Sequence, residues 1–251
     1  MIELLIVSVA INLLMFIPAF RYKTDKLTDL SYALSFIVLS LVAFISSQKD
    51  LTHFVLLAMV VTWSIRLGGF LFLRIRKQKR DKRFDEMRDS IWKFGRFWLL
   101  QGVSVYVILL ASLFVWNKDE VAFGWLSWVG LAIFISGLLI ESVADYQKRK
   151  FSSKSDNKDK WINTGLWSMS RHPNYLGEMI VWTGVYTYAF SNLSLNERLI
   201  GLLSPVYIIC LLLFVSGIPL LEKAADQKWG ENAEYKKYKK STPVLLPLKI
   251  K

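Results

Sequence analysis

The chain has 251 residues, of which 53% are hydrophobic and 14% aromatic, and its formal net charge is +12 at pH 7. This composition is typical of an integral membrane protein. A single cysteine, Cys210, excludes a disulfide framework and a cysteine-based metal cluster, and its place in an apolar run predicts a buried, inert thiol.

Seven apolar segments follow one another along the chain. Each is close to the ~20 residues that a helix needs to cross the hydrocarbon core of a bilayer. They span residues 2–20, 31–47, 51–75, 97–116, 121–144, 174–191 and 197–221. We therefore predict an all-α polytopic membrane protein with seven transmembrane helices. It forms a single domain over residues 1–251, whose cofactor half lies mainly in 121–251.

The basic residues are distributed unevenly among the connections between these segments. Of the 32 Lys and Arg residues, 28 lie in alternate connections, while Lys49, Lys118 and Arg198 lie in the others and Arg66 inside a segment. The basic connections are residues 21–30, 74–96, 145–173 and the tail after Leu221. The positive-inside rule then predicts an outer N-terminus and a cytoplasmic C-terminus. No nucleic-acid partner is expected, because most of this charge flanks membrane helices.

A polar motif marks the start of the sixth segment, where residues 171–178 read Arg-His-Pro-Asn-Tyr-Leu-Gly-Glu. Pro173 suits the first turn of a helix, where its missing N–H leaves no bond unmade. Glu178 then lies one turn inside, and an ionisable side chain in a lipid-buried span indicates a functional site. Asn174, Glu178 and Trp182 recur every four residues and share one helix face.

Other polar residues fall in the same, inner half of the bilayer. They are Asp29 and Tyr32 at the start of the second segment, Arg66 in the third, and Glu141 and Asp145 at the end of the fifth. Their convergence predicts one polar pocket that opens to the cytoplasm.

Structural roles are the alternative for each of these residues. Arg66 and a nearby carboxylate can pair only to neutralise each other in a low-dielectric core. Asp29 can be a plain helix N-cap, and His172 a hydrogen-bonding residue at the helix mouth. No metal site is expected, because His53 and His172 fall on opposite sides of the membrane.

Several motifs resemble the steroid 5-alpha-reductase family, and more closely its bacterial membrane branch of domain-of-unknown-function type. They are Asp145-Tyr146-Gln147, Thr164-Gly165-Leu166-Trp167, residues 170–178 with Trp182, residues 63–67, Lys82-Arg83-Phe84, residues 216–223, and the tail from Tyr235 to Pro247. The likeness covers most of the chain. Its Arg-His-Pro-x-Tyr portion is shared with isoprenylcysteine carboxyl methyltransferases, which bind S-adenosylmethionine.

The resemblance implies a reductase that uses NADPH to reduce a carbon–carbon double bond conjugated to a carbonyl in a steroid-like or other apolar lipid. It implies a bacterial inner membrane location, with the cofactor site facing the cytoplasm. The residues it assigns to the cofactor are Arg66, Arg83, Asp145, Arg171, His172, Asn174, Tyr175, Glu178, Trp182, Lys223 and Tyr238. Arginine and lysine neutralise phosphates, and asparagine and carboxylates can hold amide and ribose groups by hydrogen bonds.

The catalytic acid is not determined by the resemblance. The family's Gln-Glu pair is absent from the first three segments, and Trp63 stands where a tyrosine is expected. Asp29, Tyr32 and Tyr186 are the candidates for the group that polarises the carbonyl.

Two other functions stay open. A membrane methyltransferase would use S-adenosylmethionine, which lacks phosphates and would leave Arg66 and Arg83 without a clear partner. A non-catalytic lipid-binding or transport protein is the second, although a transporter needs polar groups near the midplane that are reachable from both sides. The expected partners are a lipid-soluble substrate and membrane lipids, and the oligomeric state is not predicted.

Overall fold

The structure, a computed structural model of the chain, describes residues 1–77 and 87–246, except the side chains of 74–77. Ten α-helices and a few single turns make up the regular structure of these residues, and no strand occurs among them. The helices are α1 Ile2–Arg21, α2 Lys26–Ile45, α3 Leu51–Lys77, α4 Ile91–Trp116, α5 Trp125–Ser152, α6 Pro173–Ala189, α7 Leu195–Gly201, α8 Leu203–Cys210, α9 Ile218–Trp229 and α10 Ala233–Ser241. The all-α prediction is therefore confirmed for this part of the chain.

Six helical stretches in the described residues are long and apolar enough to cross a membrane. They are Ile2–Arg21, Lys26–Ile45, Leu51–Leu73, Ile91–Trp116, Trp125–Ser152 and the interrupted stretch Leu195–Trp229. The protein is thus a transmembrane one, and its described residues are all-helical. Helix α6, the predicted sixth span, has only 17 residues, so the count of seven and the orientation stay predictions.

The chain divides into two compact units. The first comprises Met1–Leu131 and Val185–Ser204, and the second comprises Ala132–Gly184 and Pro205–Lys251. This division by compactness does not test the predicted single transmembrane domain, which stays a prediction.

A buried polar network joins α1, α2 and α4 in the first unit. Asn12 Nδ2 donates to Ser35 Oγ at 2.9 Å. Gln101 Nε2 lies 2.7 Å from Asn12 Oδ1 and 2.8 Å from Ser31 Oγ. Small polar side chains that bond across helices are a common means of membrane-helix association. The network therefore fixes how these three helices pack.

Helix α2 begins five residues earlier than predicted, at Lys26. The N-cap position belongs to Asp25, and Asp29 lies in the first turn of the helix. The alternative interpretation of Asp29 as an N-cap is therefore wrong. Asp29 is half-buried in α2.

Helix α5 continues to Ser152, well past the predicted end at residue 144. Arg149 and Lys150 lie in its last turn, where cations complement the helix dipole. Asp145 is consequently inside the helix rather than at its end.

The seventh predicted segment is an interrupted helix rather than a continuous one. A π-helical turn covers Leu211–Val215 between α8 and α9, and a Cβ atom built on Gly217 would lie 2.5 Å from the Leu212 carbonyl oxygen. Pro219 then occupies the first turn of α9. The interruption follows from these two residues, because glycine permits the close approach and proline starts a new helix. Cys210, at the end of α8, is exposed, so its predicted burial is wrong.

Candidate functional site

Helices α5 and α6 touch at two glycines in the second unit. A Cβ atom built on Gly137 would lie 2.6 Å from the Val181 backbone nitrogen and 2.8 Å from the Gly177 carbonyl oxygen. One built on Gly177 would lie 2.6 Å from the Glu141 backbone nitrogen. No side chain fits between the helices there, so the backbone of α6 lies directly against the turn of α5 that carries Glu141.

Three buried carboxylates lie on these two helices, at or close to this crossing. Glu141 is 2% exposed, Asp145 4% and Glu178 7%. Glu141 and Asp145 share one face of α5 because they are four residues apart, and Glu178 follows the glycine that touches α5. The predicted acidic residues of the fifth and sixth segments are thus brought to one pair of helices.

Burial increases along the predicted stripe of α6, from Asn174 through Glu178 to Trp182. Trp182 is fully buried and Glu178 is buried, while Asn174 is half-buried in the first turn. The Oδ1 atom of Asn174 is inaccessible to water and has no hydrogen-bond partner in the part of the chain that the structure describes. A buried acceptor without a donor is costly, and an N–H or O–H group of a ligand would satisfy it.

Glu222 of α9 forms hydrogen bonds with both residues that precede α6, Arg171 and His172. Its Oε2 lies 2.5 Å from an Arg171 guanidinium nitrogen and its Oε1 lies 2.7 Å from His172 Nε2. The backbone N–H groups of the same two residues donate to the carbonyl oxygens of Pro243 and Val244, at 2.9 and 3.2 Å. Contacts from α9 and from the C-terminal tail therefore fix the start of α6.

The contact with Glu222 also determines the tautomer of His172. Burial lowers the pKa of this histidine from its ordinary 6.5, against the opposing effect of Glu222. The ring is then neutral near pH 7, and Nε2 carries the proton because a carboxylate only accepts. Nδ1 is left as a buried acceptor with no hydrogen-bond partner among residues 1–77 and 87–246. The Tyr175 ring stacks on the imidazole at 5.9 Å.

The hydroxyl of Tyr238 is hydrogen-bonded to the loop before α6 and is therefore not available to a ligand while this bond is intact. Its hydroxyl donates to the Trp167 carbonyl oxygen at 2.7 Å, and burial raises its pKa to about 12. The Trp167 indole donates in turn to the Ala144 carbonyl oxygen of α5 at 3.0 Å, and the Lys148 ammonium lies 4.6 Å from the Trp167 ring centroid. Any contact of Tyr238 with a cofactor would use its ring edge or would replace this bond.

Glu222 is an important residue of this region that the sequence analysis does not assign to the site. The sequence predicts Lys223 instead, and Lys223 is exposed on α9. The sequence does contain a signal for Glu222, because a carboxylate at the end of an apolar run indicates a polar contact there. Arg83, another predicted cofactor residue, lies outside the described residues.

Three predicted residues of the first unit lie at one end of the α2–α3 pair. A Cβ atom built on Gly68 would lie 2.9 Å from Ala33 Cβ, so Tyr32 and Arg66 lie within a turn of this contact. Asp29 is one turn before Tyr32 on the same helix. The structure therefore brings Asp29, Tyr32 and Arg66 to the same end of these helices.

Aromatic rings line the same contact. The Tyr32 ring packs edge-on against Phe36 at 5.0 Å, and Phe36 packs in the same way against Trp63. Trp63, which stands where the resembled family has a tyrosine, is fully buried. The Arg66 guanidinium lies over Phe70, 5.7 Å from the ring centroid.

Tyr186 lies at the opposite end of this unit. Its hydroxyl donates to the Arg198 carbonyl oxygen at 2.9 Å, and its neighbour Tyr188 donates to the Thr52 carbonyl oxygen at the start of α3. Because α2 runs antiparallel to α3, the end of α2 lies near the start of α3. Asp29 lies in the first turn of α2, about 24 Å along the helix from that end. Tyr186 and Asp29 therefore cannot belong to one cluster of side chains.

Comparison with known proteins gives one curated relative and one family. An uncharacterized protein of Schizosaccharomyces pombe is 29% identical over 101 residues, which cover 33% of this chain and 28% of the relative. The match thus spans less than a third of that protein's length. No solved structure matches the chain. The model of a family described as "protein of unknown function (DUF1295)" matches residues 15–242, and because this match covers most of the chain, the protein belongs to that family.

Proposed function

We propose that this protein is an integral membrane oxidoreductase that uses NADPH to reduce a carbon–carbon double bond conjugated to a carbonyl in an apolar lipid. The observation that carries the proposal concerns the start of α6 and the residue before it. There, Asn174 Oδ1 and His172 Nδ1 are buried acceptors without hydrogen-bond partners in the described chain. They lie beside the buried carboxylate Glu178, in a motif that resembles steroid 5-alpha-reductases.

The side chains present suit the groups of NADPH. A carboxamide and ribose hydroxyls are hydrogen-bond donors, which Asn174, His172 and the carboxylates of Asp145 and Glu178 can accept. For the phosphates, the Nε of Arg171 is a buried donor without a hydrogen-bond partner among the described residues. Arginine is the side chain best suited to phosphate.

In the proposed reaction the cofactor supplies a hydride and the protein stabilises the charge that develops on the substrate. When bound, NADPH supplies the hydride that joins the β-carbon of the enone. The protein must stabilise the negative charge that moves onto the carbonyl oxygen, with a hydrogen-bond donor in a dry site. Asp29 and Tyr32, one turn apart on α2, are the candidates for that donor. The α-carbon then takes a proton that derives from water.

Topology completes the proposal. Helix α6, with 17 residues, is about 25 Å long and lies at the lower limit for a span. With α6 counted, seven spans place all the basic connections in the cytoplasm, where NADPH is available. The cofactor site then opens to the cytoplasm, and the bacterial inner membrane is the corresponding location.

Methyl transfer from S-adenosylmethionine is the second candidate. The observation that favours it is the set of buried carboxylates Glu141, Asp145 and Glu178, because the sulfonium and ammonium groups of that cofactor are cations. S-adenosylmethionine carries no phosphate, so it offers cations such as Arg171 only its single carboxylate.

Deuterium transfer distinguishes the two reactions. The purified protein is incubated with NADPH deuterated at the transferable position of C4, with S-adenosylmethionine, and with a 3-oxo-Δ4 steroid or an isoprenoid enone. The proposal expects a saturated product with one deuterium at the β-carbon. A product that instead gains a methyl group from S-adenosylmethionine, with no deuterium from NADPH, would establish the second candidate.

The same assay identifies the donor to the carbonyl. Asp29→Leu and Tyr32→Phe each remove a possible hydrogen-bond donor with little change of size, and Tyr22→Phe is the matched control on an exposed tyrosine. Loss of turnover with NADPH binding retained identifies the donor. Full turnover in both variants would remove Asp29 and Tyr32 from the reaction.

A further inference from the structure

Exposed cations and aromatic rings gather where α1 ends and α4 begins. The two helix ends meet through a buried cluster of Ala19, Phe94 and Trp98, so the residues beyond it on both helices lie at the same end of the first unit. Tyr22 is 77% exposed and Trp92 is 78% exposed there. Tyrosine and tryptophan are enriched at the level of lipid headgroups.

Two ion pairs give this region a defined shape. Arg88 and Asp25 form a buried pair at 3.4 Å, and Lys23 pairs with Asp89 at 2.7 Å. Lys23 has a φ of +48°, which is uncommon for a residue with a side chain. Both pairs tie the turn between α1 and α2 to the residues that precede α4, and they neutralise their own charges.

Four further cations remain around these pairs. Arg21, Lys26, Lys93 and Arg96 are all exposed. Their charged groups have no partner among the side chains that the structure describes. We call these four residues, with Tyr22 and Trp92, the basic rim. Its excess of positive charge is complementary to a phosphate.

Each of the two helices continues from the basic rim into an exposed apolar face. On α1, Leu14, Ile17 and Arg21 recur at helical spacing, and both apolar residues are exposed. On α4, Arg96 and the exposed Leu100 share one face in the same way. Cations at the helix ends and apolar side chains one turn further in match the two parts of a lipid.

We propose that the basic rim binds the headgroup of an anionic phospholipid, whose acyl chains lie along the apolar faces of α1 and α4. The guanidinium groups of Arg21 and Arg96 can each bind phosphate in a bidentate way. A zwitterionic lipid carries no net charge, so the positive rim favours an anionic one. A soluble phosphate would leave the apolar faces unused.

The test compares lipid retention in three forms of the full chain. The protein is reconstituted in nanodiscs of phosphatidylcholine mixed with phosphatidylglycerol and re-extracted in detergent, and bound lipid is measured by mass spectrometry. The triple variant Arg21→Gln, Lys93→Gln, Arg96→Gln should retain at least about tenfold less phosphatidylglycerol than the parent. Lys49→Gln, Lys154→Gln, Lys158→Gln removes the same charge at other exposed sites and should retain as much as the parent.

Three outcomes would overturn the proposal. One is equal retention of phosphatidylglycerol by the parent and the basic-rim variant. Another is an equal loss in the control variant, which would mean nonspecific attraction by net charge. The third is displacement of the lipid by glycerol phosphate alone, which would make the rim a site for soluble anions. Melting temperature in phosphatidylcholine nanodiscs shows whether the basic-rim variant is folded.

Discussion

Gly137 and Gly177 face each other so closely that a Cβ atom on Gly137 would come within 2.8 Å of the Gly177 carbonyl oxygen. This contact sets the position of α6 against α5. It therefore places Glu178 and Asn174 relative to Glu141 and Asp145, and the proposed cofactor residues depend on two residues that have no side chain.

A methyl group at this crossing should destabilise the protein. In Gly177→Ala the new Cβ meets the backbone of Glu141, which cannot rotate away, so the helices must separate. We expect a loss of about 1–3 kcal/mol in the free energy of unfolding, together with weaker NADPH binding. Thermal unfolding in detergent measures the first effect and equilibrium titration the second.

Gly69→Ala is the matched control, because Gly69 also lies within a helix and a Cβ there meets nothing within 4 Å. Alanine is the better helix former, so this variant should be as stable as the parent or slightly more so. Equal behaviour of Gly177→Ala and Gly69→Ala would contradict the tight crossing.

Glu222 should matter for stability because it neutralises Arg171 and bonds to His172. Glu222→Gln keeps the shape of the side chain and leaves the Arg171 guanidinium without its carboxylate. We expect a loss of about 1–3 kcal/mol in the free energy of unfolding. Glu231→Gln is the control, since the Glu231 side chain is fully exposed and its pair with Lys236 spans 3.3 Å. A Glu222→Gln variant as stable as the control would argue against the contact.

Stability should fall in mild acid because of His172. Burial lowers its folded pKa below 6.5, so the unfolded chain takes up a proton more readily than the folded protein. The stability that this group provides is complete above about pH 6.5. It is lost as the pH falls towards the folded pKa, by at most about 1.4 kcal/mol per pH unit.

His172→Gln isolates this contribution, because glutamine still donates to Glu222 and does not titrate. Between pH 7.5 and 5.5 the melting temperature of the variant should change less than that of the parent. Parallel curves would mean that His172 does not titrate as described.

The apolar runs predict the first five helices because lipid allows only helices there and the runs have the necessary length. Pro173 likewise predicts the start of α6, so Asn174, Glu178 and Trp182 are placed on one stripe from the sequence alone. In both cases the signal is local: a run of residues, or a proline at a helix start.

Long-range pairs are not predictable in this way. Gly137 sits in an apolar run that gives no sign of its partner Gly177, and the pairing of Glu222 with Arg171 joins residues far apart in the chain. The apolar pattern does not predict α10, because most residues of Ala233–Ser241 are polar. Tyr186 is a candidate donor from its residue type alone, and the sequence does not reveal that it lies at the opposite end of its unit from Asp29.

Topology can be tested by labelling. Cys210 is exposed, so the experiment starts from Cys210→Ser. Single cysteines at Lys49 and Lys154, both exposed positions, should react with a membrane-impermeant maleimide from opposite sides of intact cells, with only Lys49→Cys labelled from outside. Labelling of both from the same side would contradict the proposed arrangement.

Equilibrium binding of NADPH and of S-adenosylmethionine to the purified protein in detergent decides which cofactor this protein uses. We predict that NADPH binds and S-adenosylmethionine does not. We also predict that Asn174→Ala and Glu178→Gln each weaken NADPH binding by about 1–3 kcal/mol, the cost of losing one partner of a buried polar contact. Binding of S-adenosylmethionine without NADPH, or NADPH affinity unchanged in both folded variants, would contradict the proposed cofactor site.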